Sequence, residues 1–185
     1  MIGKTTLELI EGEISEQDTD AVVTAAHWDL GGGQGTDGII HFKAGPELLK
    51  ACRAIGGCPI GDAVITDGYN LKARFVIHTV GPVYEEGSES EAELLACAYT
   101  SSLRVAAENG VRSVSFPSIS TGAFCYPMRL AAPVAIQAIT GYLSEHPQSF
   151  DLVRMVLYAE EAPEAYAMYA AVLTDQLTMK TIDLH

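Results

Sequence analysis

Between Ala21 and His41 the chain passes from a small-apolar run, Ala-Val-Val-Thr-Ala-Ala, into five glycines within eight residues, Gly31 to Gly38. Few folds accommodate that junction. A continuous apolar run suits a strand covered on both faces. Glycine loses more backbone entropy on folding than any other residue, so a cluster at a strand's end signals unusual dihedrals or a close approach to something else. Two titratable residues, Asp37 and His41, follow one helical turn apart. Together these features predict a buried strand that feeds a ligand loop, and the ligand expected there carries phosphate.

The rest of the chain alternates strand and helix around this stretch. Alternation at Leu7 and Leu9 opens a strand within Thr5 to Ile14, and Ala21 to Ala26 forms the next. Gly45-Pro46 starts a helix with Leu48, Leu49, Cys52 and Ile55 on one face, closed by Gly56-Gly57. Strands follow at Ala63 to Thr66 and Phe75 to Val80. A long helix runs from about Ser90 to Asn109, then a strand from Val111 to Ser118. Pro127 opens a helix to about Leu143, in which Pro133, lacking an N–H, should kink or delay the helix unless it is locally accommodated. Leu152 to Ala159 reads as a core strand, Pro163 to Leu177 as a helix, and Thr178 to Leu184 as a short edge strand. This order predicts an α/β fold, a three-layer α/β/α sandwich with a mixed, largely parallel central sheet. Residues 1–185 are expected to form one domain.

Charge and composition narrow the function. A net charge of −13 argues against nucleic acid and against an anionic membrane surface, since both need a basic face. An anionic small molecule remains accessible if backbone N–H groups and helix N-termini supply local positive potential. No apolar run approaches the roughly 20 residues of a membrane span, so a cytoplasmic location is expected. Cys52, Cys58, Cys97 and Cys125 lack C-x-x-C spacing and read as structural thiols, with no metal site; Cys125 stands apart because it falls in a candidate ligand loop.

Gly33 to Gly38 matches G-x-G-x-x-G, which raises a dinucleotide oxidoreductase. That fingerprint needs a helix of ten or more residues directly after the loop and an acidic residue about 20 positions on. Here Gly45-Pro46 is expected to interrupt any helix within a few residues, and the later region holds Gly57-Cys58-Pro59. A second small-residue loop, Ser118 to Phe124, offers hydroxyls, N–H groups and an aromatic ring. It reads either as a phosphate cradle or as a plain strand-to-helix turn with Phe124 in the core. Ligands in such sheets bind at the carboxyl ends of the strands, where both loops should lie.

Taken in order, Gly12-Glu13-Ile14, the loop ending Asp37-Gly38-Ile39-Ile40-His41, Ala44 to Leu49, Gly61 to Thr66, Val76 to Pro82, and Phe116 to Gly122 resemble a macrodomain. The resemblance spans nearly the whole chain. It is nearest to the branch of hydrolases of O-acetyl-ADP-ribose and of mono-ADP-ribosylated carboxylates. It implies ADP-ribose lying across the strand ends, with no cofactor. Glu13 would accept from the adenine amino group and Ile14 would offer its N–H. Ala26, Gly33, Gly35 and Thr36 on one side, and Ser120, Thr121, Gly122, Ala123 and Phe124 on the other, would hold the diphosphate and distal ribose. Asp37 matches the residue that orients a water near the anomeric carbon, with His41 beside it; alternatively Asp37 caps a short helix and His41 braces the loop.

Departures from the family pattern fall in the opening stretch. Its usual Val-Asn-Ala-Ala-Asn is here Val23-Thr24-Ala25-Ala26-His27, followed by Trp28, the only tryptophan. The asparagine at the ribose has become His27, and the usual Asp at the adenine end is Glu13. An amide donates and accepts at once in fixed directions, whereas a neutral imidazole donates from one nitrogen and accepts at the other. Three functions stay open: a hydrolase of ester-linked ADP-ribose acting on O-acetyl-ADP-ribose or a mono-ADP-ribosylated protein, a reader that binds without turnover, and a nucleotide-binding module that has drifted to another ligand.

Overall fold

The computed structural model describes residues 2–158 and 162–182, with the backbone alone at 162 and 177–182. Six strands, β1 (Thr6–Glu11), β2 (Ala21–Ala25), β3 (Ala63–Asp67), β4 (Phe75–Thr79), β5 (Ser113–Phe116) and β6 (Leu152–Leu157), form one sheet in the order β1-β6-β5-β2-β4-β3. Every neighbouring pair is parallel except β3 with β4, which is antiparallel. Among the described residues the α-helices are α1 (Gly35–Ala44), α2 (Pro46–Ile55), α3 (Glu89–Glu108), α4 (Met128–Glu145) and α5 (Ala162–Ile182).

Side-chain alternation along the strands separates two cores. Ala21, Val23 and Ile77 pack with Leu95 and Tyr99 of α3, Ile136 and Ile139 of α4, and Tyr169 of α5. Val22 and Val76 point the other way, into Ile40 and Ala44 of α1 and Leu48 and Cys52 of α2. Side chains alternate because strand geometry has a period of two, so a central strand such as β2 must be apolar on both faces. Ile40 and Leu48 are fully buried, each contributing about 1.5–3 kcal/mol of transfer free energy. The expected three-layer sandwich is the observed one.

Two expectations need correction, at α1 and at the tail, and Pro133 is accommodated within a continuous helix. The helix after the glycine loop is not cut short: α1 runs ten residues and ends where Gly45, at φ +90°, turns the chain directly into α2. Burial of Asp37, Ile40 and Ala44 outweighs the poor helix propensity of Gly35 and Gly38. Pro133 lies inside a helix that continues to Glu145. The carbonyl it leaves without a partner belongs to Arg129, an exposed first-turn residue that water can satisfy. The tail is not an edge strand, since α5 carries the backbone through Ile182; residues 183–184 of that reading, and Ala159 at the end of the sixth strand, lie outside the described residues.

The parallel strands β2 and β5 are neighbours, so the loops that follow them, residues 26–34 and 117–127, emerge side by side. The antiparallel β3 begins at the same end, which brings residues 56–62 alongside. Three loops therefore surround one sheet edge. Among the described residues no helix is long and apolar enough to cross a membrane.

Candidate functional site

The candidate site begins at the end of β2. Ala26 extends the ladder by donating to the Thr79 carbonyl at 2.8 Å, and then the chain leaves the sheet. His27, Trp28 and Asp29 form an exposed turn that Leu30 closes, its N–H bonded to the His27 carbonyl at 2.9 Å. Leu30 is fully buried and takes φ +56°, so the turn is pinned into the core by its last residue. Gly32, at φ +76°, rests on the His41 ring; a Cβ there would meet His41 Cγ and Nδ1 at 3.1 Å. Gly33, Gly35 and Thr36 continue over the start of α1.

Asp37 is the third residue of α1, and it is buried. Thr24 Oγ1 on β2 donates to its Oδ1 at 3.0 Å, and the Gly33 N–H donates to its Oδ2 at 2.8 Å. It is therefore not the helix cap, a position held by Gln34, whose side chain makes no capping bond. Asp37 instead ties strand, loop and helix together. His41 Nε2 lies 3.7 Å from Asp37 Oδ1, too far for a hydrogen bond, and this buried nitrogen has no partner among the described residues.

Behind His41 stands a second histidine. His78 on β4 is fully buried, 6.0 Å from the His41 ring centroid, with Nε2 2.9 Å from the Thr66 hydroxyl and 3.7 Å from Cys52 Sγ. Burial, reinforced by His41, pushes the His78 pKa down to about 3. Burial and then Asp37 push the Cys52 thiol up to about 11. His41, Cys52 and His78 place one ligand atom each within 4.8 Å of one another, a spacing that a metal ion could bridge. Thr66 already engages His78 Nε2 and the thiol is held protonated, so His78 and Cys52 form a neutral buried pair behind Asp37.

At the mouth, His27 Nδ1 lies 2.9 Å from Asp29 Oδ1, and the Gly31 N–H donates to the same oxygen at 3.0 Å. Both side chains are about half exposed. The hydrogen bond to His27, and then that from Gly31, hold the Asp29 carboxyl below its usual range. Trp28 is 59% exposed, and its carbonyl accepts the Cys58 N–H at 2.8 Å.

The opposite wall is the loop after β5. Ser120, buried at φ +67°, points an Oγ with no hydrogen-bond partner among the described residues. Gly81 passes so close to that hydroxyl that no Cβ would fit between them. Thr121 spends its hydroxyl on the Ser118 carbonyl at 3.0 Å. Gly122 and Ala123 are exposed, and Phe124 is only half-buried and belongs to neither core, which removes the reading that buries it. Cys125, exposed at φ +56°, donates its thiol back to the Ala123 carbonyl.

Glu13 and Ile14 sit at the start of a single 3-10 turn, Ile14–Glu16, beyond β1. Ile14 is buried. Glu13 Oε1 accepts from Ser15 at 2.6 Å and from Lys43 of α1 at 2.9 Å, and these two bonds lower its pKa. Lys43 also reaches Glu16 at 2.6 Å. Sequence reasoning missed Lys43, Asp29, Cys52 and His78 as members of this region. The pair at Lys43 and Glu13 is 30 residues apart and carries no local pattern, whereas Asp29, two residues after His27 in a turn, was open to recognition.

This geometry matches that of known proteins. The Macro domain family model fits residues 23–135. The O-acetyl-ADP-ribose deacetylase of Cronobacter sakazakii is 46% identical over 159 residues, covering 84% of this chain and 88% of that protein. The Oceanobacillus iheyensis macrodomain with ADP superposes with a TM-score of 0.90 at 39% identity, over 97% of this chain and 95% of that one. The Trypanosoma brucei macrodomain in complex with ADP-ribose does so at 0.81 and 37%, over 88% and 67%. The chain belongs to the macrodomain family.

Proposed function

We propose that this macrodomain binds ADP-ribose or a close derivative and hydrolyses an ester linked to its distal ribose, as in O-acetyl-ADP-ribose or a mono-ADP-ribosylated protein. The observation that carries the reading is Asp37, buried at the start of α1 and bonded at once to β2 and to the glycine loop. That arrangement holds the glycine loop beside the Ser120 loop at the strand ends, where the backbone N–H groups not taken by Asp29 and Asp37 would serve a diphosphate without any basic side chain. Ser120, with its buried and unpartnered hydroxyl, supplies a further donor. The names of the relatives support the same ligand class: a macrodomain in complex with ADP-ribose, another with ADP, and an O-acetyl-ADP-ribose deacetylase.

In this reading Glu13 and Ile14 take the adenine, Ala26 and the glycine loop line the diphosphate, Phe124 lies against the distal ribose, and Asp37 with His41 behind it orients the loop and the attacking water. No cofactor is required. A reader without turnover is the second reading, favoured by one observation: both Asp37 oxygens already accept hydrogen bonds. Calorimetry with ADP-ribose, ADP, AMP and NAD tests the binding, and release of acetate from O-acetyl-ADP-ribose tests the hydrolysis. ADP-ribose should bind most tightly; failure to outcompete AMP would sink the assignment.

A further inference from the structure

A hydrolase that follows the proposed function needs a group to take the proton of the attacking water. Asp37 is poorly suited to that task. It is only 2% exposed, and each oxygen already serves a donor of the scaffold. His27 is the opposite case: half exposed, at the carboxyl end of the central strand, and bonded through Nδ1 alone among the described residues.

We propose that His27 is the general base for ester hydrolysis and that Asp29 is the positioning residue that fixes its tautomer. The inference rests on the ADP-ribosyl ester reading above. A carboxylate can only accept, so the 2.9 Å contact requires the proton on Nδ1. In the neutral ring Nε2 then carries a lone pair. The turn that presents it is anchored on both sides: Gly31 donates to Asp29 Oδ1, Leu30 is buried beneath and bonds the His27 carbonyl, and Cys58 holds the Trp28 carbonyl. Trp28, its centroid 5.5 Å away and tilted, flanks the ring. An imidazole with one nitrogen oriented by a carboxylate and the other bare is the arrangement that general-base catalysis uses.

The chemistry balances. Water attacks the acyl carbon of the ester as His27 Nε2 takes its proton and the carbonyl π pair moves onto oxygen. The tetrahedral intermediate collapses, the bond from acyl carbon to ribose oxygen breaks, and the imidazolium returns its proton to that oxygen. A carboxylic acid and free ADP-ribose leave, with one water consumed. Asp29 stabilises the imidazolium while it exists. Among the described residues, titratable groups on elements packed against the turn include the Cys58 thiol, pushed up to about 11 by burial and then by Asp62 on the same loop and so neutral, and Asp37 and His41 of α1 beyond Gly32.

The test measures kcat, KM and pH profile for O-acetyl-ADP-ribose, and the Kd of ADP-ribose, in the wild type and in His27→Gln, His27→Asn, Asp29→Asn and Asp29→Glu. His27→Gln should lower kcat by about 10²–10⁴-fold and abolish the fall in rate toward acid pH. Asp29→Asn should lower kcat at least about tenfold with KM and Kd little changed, and Asp29→Glu should recover part of the loss. Both positions are exposed, so an unchanged Tm is expected. An intact rate and acid limb in His27→Gln and Asp29→Asn, or a faster His27→Asn, would overturn the dyad while leaving the function standing. A wild type that binds no ADP-ribose would overturn the function itself.

Discussion

The Thr24 hydroxyl donates to Asp37 Oδ1 at 3.0 Å, across 13 residues of sequence, and so joins the central strand to the first turn of α1. Both groups are buried. The bond is an addressed one: it decides which way the carboxylate faces and leaves Oδ2 free for the Gly33 N–H. Replacing Thr24 with Val keeps the shape of the strand and removes the donor. Leaving a buried carboxylate oxygen without its partner typically costs about 1–3 kcal/mol. Urea unfolding of Thr24→Val should show a lower midpoint with the m-value unchanged, and no loss of stability would contradict the geometry.

The proposed function gives Asp37 a role in turnover more than in affinity, because both its oxygens are spent on Thr24 and the Gly33 N–H. As an orienting group, Asp37→Ala should lower kcat for O-acetyl-ADP-ribose by about 10²-fold. Because the variant also frees the Gly33 N–H and loosens the loop, the ADP-ribose Kd should weaken too, but by less than kcat falls. Equal losses in rate and affinity would make Asp37 a purely structural clasp.

The sequence carried the fold well because its strongest signals are local. Ala21 to Ala26 reads as a doubly covered strand and is one; Pro46 and Gly56 bracket α2 as their backbone preferences demand. Errors arose where tertiary contacts overrode local propensity. Gly35 and Gly38 hid a full helix that buried Ile40 and Ala44 pay for, and the last residues read as strand although they continue α5. The glycine loop with Asp37 and the Ser118 to Phe124 loop stood out in the sequence, and the fold brings both to one end of the sheet. The network of His41, Cys52 and His78 did not stand out, because three elements distant in sequence assemble it.

That network makes a prediction about pH. His78 is titrated down to about 3 in the fold, against an ordinary value of 6.5, chiefly by burial. The unfolded chain therefore binds a proton that the native protein refuses between these values. Stability is fully present above pH 6.5 and is lost as pH falls toward 3, by up to about 1.4 kcal/mol per pH unit. Glu13, Glu16, Asp20 and Asp151, whose pKa values are also lowered, contribute acid sensitivity only below about pH 4.5. Urea midpoints at pH 7, 6 and 5 should decline in the wild type and stay flatter in His78→Gln, even if that variant is less stable at pH 7. Parallel declines would remove His78 as the cause.

At the far end of the cleft, Glu13 arrives already oriented, since Ser15 and Lys43 both bond its Oε1. If its remaining oxygen accepts from the adenine amino group, Glu13→Ala should weaken ADP-ribose binding about tenfold, equivalent to roughly 1.4 kcal/mol. Ribose 5-phosphate, which has no base, is the control ligand. Calorimetry should show the loss for ADP-ribose alone; the same loss for both would move Glu13 away from the adenine.

Gly38 makes the sharpest structural demand in the loop. A Cβ at this position would lie 2.5 Å from the Gly33 carbonyl oxygen, a backbone atom that cannot swing aside. Gly38→Ala must therefore push the Gly33 segment off α1, stretching the Gly33 bond to Asp37 and moving the donors meant for the ligand. Gly110 gives the contrasting case. It follows α3 at the opposite end of the sheet, at φ +70° with open space around its missing Cβ, so Gly110→Ala introduces backbone strain of about 1–2 kcal/mol and no clash. The expected result is a Gly38→Ala protein whose affinity for ADP-ribose drops at least tenfold, beside a Gly110→Ala protein that melts earlier and binds normally. If the two variants instead lost stability and kept affinity alike, the loop's fit against α1 would have no part in holding the ligand.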